Sequence, residues 1–224
     1  MLPTSSRARE LGANGDRGPE KLLIGFKKRT DKYGGTFENR IRFLLEIIEA
    51  VRTVIPETMP LLVRISATEW MEWDHAPSWR LEDSIKLAKL LPALGVDLLD
   101  VSSGGNSSAQ KINIHQYYQI DLADKIREAL RAEGQTMKIG AVGMVTTAEV
   151  AKSVVEAETR TNEASDKNGT VEIQTEHGKA KADLVLVARQ LLREPGFVLR
   201  TAHQLGVNVK WPNQYERGVW PKAA

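Results

Sequence analysis

The run LLVRIS at residues 61–66 is short, mostly apolar and preceded by Pro60, so it predicts a buried strand. The residues before it, 37–54, carry apolar side chains at the i, i+4, i+7 and i+8 spacing of an amphipathic helix. Pro56 and Pro60 end that helix and separate it from the strand. A helix followed by a buried strand is therefore the first feature that the sequence establishes.

The same alternation continues to the end of the chain. The further strands are predicted at 96–101, 138–142 and 182–187, and the further helices at 81–93, 119–132, 147–157 and 195–205. Apolar strands that alternate with amphipathic helices predict a parallel sheet covered by helices. Four βα units fit part of a doubly wound sheet or half of a (βα)8 barrel. A complete barrel needs about 250 residues, so we expect an α/β fold with four parallel βα units preceded by a helix, the C-terminal half of a barrel.

The chain divides into a body and three other segments. Residues 1–27 are expected to be disordered or unrelated to the body, which spans 28–219, and 220–224 form a tail. Residues 158–181 are polar and separate the helix at 147–157 from the last strand, with Asn168-Gly169 predicting a hairpin turn. We expect this insertion to be a surface excursion; a regulatory element is the alternative.

Composition excludes several classes of function. The net charge is +2 and no cluster of basic residues predicts a nucleic-acid surface. The chain has no cysteine, and its four histidines are too scattered to predict a metal site. No apolar run approaches the roughly 20 residues of a membrane helix. We therefore expect a cytoplasmic protein with no metal, nucleic-acid or membrane partner.

Candidate ligand-binding residues lie where the predicted strands end, because parallel α/β folds place their sites at that edge. Gly143 ends the third strand, and Ala188 and Arg189 end the fourth. Together they predict a phosphate site on the last two loops. Arg64 lies within an apolar strand, so it is either paired internally or directed at an anionic ligand or a polarised ring. No pair of nucleophile and base is recognisable, and no catalytic residue is predicted.

Several stretches resemble one family. KRTDKYGGTFENR at 28–40 resembles the long signature of the Old Yellow Enzyme family, and GAVGMV at 140–145 resembles the family's seventh strand and phosphate loop. ARQLLREP at 188–195 is similar to its eighth strand. QYERG at 214–218 resembles the C-terminal tail of the family's bacterial-type, or thermophilic-like, branch.

This resemblance implies an FMN-dependent NAD(P)H oxidoreductase of the ene-reductase type that reduces activated alkenes. It implies that Arg64 lies against the flavin ring and stabilises the anionic reduced form. It also implies that Gly143, Ala188 and Arg189 hold the FMN phosphate, and that Arg217 reaches the active site of a neighbouring subunit in a homo-oligomer.

The resemblance covers only the C-terminal half of the family's barrel. It implies that the proton-donating tyrosine and the substrate-binding histidine pair belong to four earlier βα units, which this sequence does not match, so we expect a truncated enzyme of reduced activity. The alternative hypothesis is a noncatalytic half-barrel that associates with itself. A (βα) enzyme for phosphorylated ligands, such as a phosphosugar isomerase, would explain the final loops but not Tyr33-Gly34-Gly35.

Overall fold

The computed structural model describes residues 29–75, 77–105, 107–157, 159–165, 171–177 and 179–220. The helices are α1 (Phe37–Arg52), α2 (Leu81–Leu90), α3 (Ile120–Ala132), α4 (Ala148–Val155), α5 (Arg189–Arg193) and α6 (Phe197–Gln204). The strands are β1 (Leu62–Ser66), β2 (Leu98–Ser102), β3 (Lys138–Val142), β4 (Thr159–Ser165), β5 (Val171–His177) and β6 (Leu184–Leu186). Short 3-10 helices span Pro92–Leu94 and Asn213–Gly218.

Helix α1 begins where the sequence predicts it. The side chain of Thr36 accepts a hydrogen bond from the Asn39 N–H, which satisfies one of the free donors at the start of the helix. The apolar spacing turns Ile41 and Ile48 into the core. The cap and the apolar stripe together fix both the start and the orientation of this helix.

Strands β1, β2, β3 and β6 form one parallel sheet in that order. Right-handed crossovers between sequential neighbours place every connecting helix on the same face of the sheet. A doubly wound sheet requires a reversal of strand order, and the strands of this sheet have none. The order is that of consecutive units of a (βα)8 barrel, which confirms the predicted half-barrel.

The two faces of this sheet differ in how they are covered. On the helix side, Ile65, Leu99 and Ile139 are fully buried in one apolar cluster with the inward faces of the helices. On the opposite face, Leu62 is 55% exposed and Leu184 is 44% exposed. We call the face that carries Leu62, Arg64, Asp100 and Leu184 the open face; in a closed barrel it would line the interior.

Two elements near the C-terminal end of the chain differ from the prediction. The last strand is three residues long rather than 182–187, because the side chain of Asp183 accepts a hydrogen bond from the Ile139 N–H at 2.9 Å before the ladder begins. The helix predicted at 195–205 is α6, and a short helix just before it, α5, was missed. Pro195 has no N–H to continue α5, so the chain turns there and α6 begins at Phe197.

The insertion forms an antiparallel pair, with Thr159 opposite His177 and Ser165 opposite Val171. This confirms the predicted hairpin, while its predicted turn at Asn168-Gly169 lies outside the described residues, as do residues 1–27 and 221–224. Lys179 pairs with Asp124 at 3.2 Å and with Glu128, both on α3, and so fixes one end of the insertion.

Among the described helices, none combines the length and apolar character that crossing a membrane requires.

Candidate ligand site at the carboxyl edge of the sheet

Arg64 and Asp100 face each other on neighbouring strands of the open face. The Arg64 Nε lies 2.5 Å from Oδ2 of Asp100, whose side chain is only 7% exposed. The Arg64 side chain is 53% exposed. The internal pairing of Arg64 is therefore confirmed, since it neutralises a buried carboxylate. Half of its side chain remains exposed on the open face, and its contact with a ligand stays a prediction.

The serines at the end of β2 serve the backbone. Ser102 Oγ donates to the carbonyl of Ile65 at 2.8 Å, and the N–H of Ser103 donates to Oε1 of Gln119 at 2.7 Å. No base contacts either hydroxyl in the described part of the chain. Ser102 holds the ends of β1 and β2 together, and Ser103 ties the end of β2 to Gln119 ahead of α3.

The loop that follows β3 has an unusual backbone. Gly143 has φ of 109° and Met144 has φ of 53°, so two consecutive residues adopt left-handed conformations. A left-handed methionine is uncommon and is held by its surroundings. The N–H groups of Met144 and Val145 donate to no acceptor in the described chain. Such a loop resembles the backbone concavities that bind anions.

Two glutamines ahead of α3 hold this loop, and neither was predicted from the sequence. Gln119 is buried, and its Nε2 lies 3.4 Å from the carbonyl oxygen of Val142. Gln116 Nε2 donates to the carbonyl of Met144 at 2.5 Å. A signal for Gln119 does exist: it lies on the apolar stripe of α3, and a buried amide needs partners.

The register of β3 and β6 brings the predicted phosphate residues to adjacent strand ends. Val142 is paired with Leu186, so Gly143 and the loop of Ala188 and Arg189 leave the sheet side by side. Both Ala188 and Arg189 are exposed, and Arg189 has no ion-pair partner within the described residues. The arrangement offers N–H groups and one available guanidinium at the same edge.

Glu194, just beyond α5, forms an ion pair with Arg200 of α6. Its two carboxylate oxygens accept hydrogen bonds from the Arg200 guanidinium, which holds the pKa of Glu194 below its ordinary value. This pair ties α5 to α6, so the negative charge nearest to Arg189 in sequence is already engaged. Arg189 is left available for a ligand.

The predicted inter-subunit residue, Arg217, lies on the exposed 3-10 helix near the C-terminus. The tail folds back on itself, with the Trp220 ring 5.1 Å from that of Trp211 and 5.4 Å from that of His203 on α6. Arg217 is thus displayed on the surface, and its contact with another subunit stays a prediction.

The loops that follow β1 and β2 contact each other above the sheet. Trp70 has a left-handed φ of 53°, and its carbonyl accepts from the Lys111 N–H at 3.1 Å. Its ring lies 6.2 Å from that of Tyr118. The loops after β1 and β2 are therefore joined by a backbone hydrogen bond and a ring contact. Within the described chain, no group of three or more His, Asp or Glu side chains could hold a metal ion.

Comparison with known proteins points to one family. The model of the NADH:flavin oxidoreductase / NADH oxidase family matches residues 19–208. An NADH:flavin oxidoreductase of Gibberella zeae is 40% identical over an alignment of 197 residues that covers 84% of this chain and 41% of that protein. The NADPH dehydrogenase of Bacillus subtilis is 38% identical over 190 residues, covering 85% of this chain and 46% of that protein.

The solved structures add evidence on the fold. A morphinone reductase variant in complex with tetrahydroNAD superposes with a TM-score of 0.50 at 19% identity, covering 88% of this chain and 43% of that chain. At this identity the likeness concerns the fold alone. The chain spans about half the length of the curated relatives that it matches.

Proposed function

Since the chain belongs to the NADH:flavin oxidoreductase / NADH oxidase family, we propose that it forms the FMN-binding half of an NAD(P)H oxidoreductase of the ene-reductase type. The observation that carries this proposal is the left-handed loop at Gly143 and Met144, which leaves the sheet beside Arg189. Unused N–H groups next to an available guanidinium suit a phosphate dianion.

The described residues fit the chemistry of FMN at both of its ends. The phosphate would be held by the loop that begins at Gly143 together with Ala188 and Arg189. The ring carries negative charge when reduced, and Arg64 offers a half-exposed cation on the open face of the same sheet. When bound, FMN supplies hydride transfer between NAD(P)H and an activated alkene. The roles of this chain's residues are to bind and orient the cofactor and to balance its charge.

We assign no proton donor among the described residues. The hydroxyl of Ser102 donates to a backbone carbonyl and that of Ser103 to the side chain of Gln119. Tyr117 and Tyr118 contact neighbouring side chains there. Turnover would need acid–base groups besides these. Cofactor binding is therefore the activity that this part of the molecule supports most directly.

The test is an absorbance spectrum of the purified protein after incubation with FMN and desalting, with riboflavin in a parallel sample. We expect FMN to be retained and riboflavin to be lost, because only FMN carries the phosphate. Arg189→Ala should weaken FMN binding by about tenfold or more, the usual contribution of a charge-assisted hydrogen bond. Arg193→Ala, which removes an exposed arginine at the other end of α5, is the matched control. A colourless wild-type protein, or equal losses in both variants, would contradict the proposal.

A second candidate function is self-association through the open face. Leu62 on β1 and Leu184 on β6 are both exposed there, and both lie on edge strands of the sheet. Exposed apolar side chains beside unpaired strand edges favour contact with another sheet. A second copy of the chain would bring two such faces together and cover both.

A further inference from the structure

The buried amide of Gln119 joins the ends of two strands. Its Oε1 accepts the N–H of Ser103 after β2 at 2.7 Å, and its Nε2 approaches the carbonyl of Val142 at the end of β3. The orientation of the amide is fixed by its neighbours, since an N–H faces the oxygen and a carbonyl faces the nitrogen. Gln119 is therefore a two-sided connection between adjacent strand ends, next to the loop at Gly143.

Gln116 adds a second contact of the same kind, to the carbonyl of Met144. All peptide bonds of the described chain are trans, and in a trans peptide the carbonyl and the following N–H point in opposite directions. The carbonyls of Val142 and Met144 point toward the two glutamines. The N–H groups of Gly143 and Val145 therefore point away from the glutamines. The two amides thus set the direction in which the loop presents its donors.

Gly143 is needed for this arrangement. A Cβ at this position would overlap the Nε2 of Gln119, and a φ of 109° is one that other residues rarely adopt. The close approach of Gln119 to the backbone therefore depends on both residues, the glutamine itself and the glycine at position 143. Nothing in the ordinary packing of α3 requires a buried amide here, because the rest of its inward stripe is Ala123, Ile126 and Leu130.

We propose that Gln119, assisted by Gln116, is a positioning residue that sets the loop 143–145 in its anion-binding conformation and thereby gives the site its preference for FMN over riboflavin. This inference rests on the proposed function and deepens it. Gln119 acts on the phosphate end of the cofactor through the backbone, so its removal should affect phosphate recognition and leave recognition of the ring unchanged.

The experiment compares Gln119→Met with Gln135→Met in the full chain. Methionine keeps the volume of glutamine and removes its hydrogen bonds. Gln135 is the matched control, because its Nε2 also donates to a backbone carbonyl, that of Lys89 at 3.1 Å, but at the opposite end of β3. Dissociation constants for FMN and riboflavin are measured by flavin fluorescence, and the amide NMR shifts of Gly143 and Val145 are measured without ligand.

For Gln119→Met we expect FMN affinity to fall by about fivefold to tenfold, as loss of one or two hydrogen bonds would produce, with riboflavin affinity unchanged. The amide shifts of Gly143 and Val145 should move in this variant and stay in place in Gln135→Met. Equal losses for both flavins, or unmoved amides, would overturn the positioning role. A wild-type protein with no preference for FMN would instead overturn the proposed function and the ligand part of this inference with it, even if the amides move.

Discussion

The Nε of Arg64 lies 2.5 Å from Oδ2 of Asp100, across the first two strands of the sheet. The carboxylate is buried and its Oδ1 has no hydrogen-bond partner in the described chain, whereas half of the arginine side chain is exposed. The pair is therefore asymmetric: Asp100 depends on Arg64, while Arg64 can be solvated without Asp100. This asymmetry decides what each substitution costs.

Arg64→Ala should lower the free energy of unfolding by about 3 kcal/mol, because it leaves a buried carboxylate without its counter-ion. Adding Asp100→Asn should restore most of the loss, since the uncompensated charge is then gone. Urea unfolding of the two single variants and the double variant measures both effects. Additive losses in the double variant would show that Arg64 contributes by packing rather than by neutralising Asp100.

Gly143→Ala should be more harmful than an alanine at another left-handed glycine. Gly105 has φ of 78° with open space around its missing Cβ, while at Gly143 the added carbon meets Gln119. We expect Gly105→Ala to cost about 1 kcal/mol through backbone strain alone. Gly143→Ala should cost about 2–3 kcal/mol and reduce FMN retention. Urea unfolding and the desalting assay test this difference, and equal costs would show that the loop and Gln119 separate easily.

The fold could be predicted because its signals are local and repeated. Apolar spacing placed α1 and the first strand to within one or two residues. The strand order follows from the succession of βα units, since sequential parallel strands are usually neighbours in the sheet. The spacing of apolar residues was least informative near the C-terminal end, because α5 is only five residues long and too short to show a helical repeat.

The candidate site could be predicted only in part. Gly143 and Arg189 lie at strand ends, a place where the topology itself brings residues together. Gln119 was missed because its partners, Ser103 and Val142, are 16 and 23 residues away in sequence. Two alternatives were open for Arg64, because the sequence of a strand does not reveal which residue pairs with a charged side chain in it. The pairing of β1 with β2 places Asp100 opposite Arg64 and so identifies the partner.

Stability should fall in acid through Asp183. Burial opposes its charge, but the Ile139 N–H and the guanidinium groups of Arg127 and Arg131 outweigh burial and hold the pKa of Asp183 below its ordinary value. A lowered folded-state pKa stabilises the protein above the unfolded pKa, about 3.9. That stability is lost as the pH falls through the lower folded-state pKa.

Asp183→Asn should therefore reduce stability at pH 7 and make it less dependent on pH below about 4. Urea unfolding of the wild type and the variant at pH 7 and in acid measures the difference. Glu57→Gln, at an exposed glutamate after α1, is the control and should follow the wild type. An unchanged acid dependence in Asp183→Asn would mean that other carboxylates govern it.

Charges on the open face should prevent self-association. Leu62→Glu combined with Leu184→Glu places two carboxylates where a second copy would dock, and burying them there would be costly. We expect the wild type to sediment as a concentration-dependent dimer and the double variant as a monomer. Val54→Glu adds a charge at an equally exposed apolar position just beyond α1 and should behave as the wild type. A wild type that stays monomeric at all concentrations, or a double variant that still dimerises, would show that this face does not mediate association.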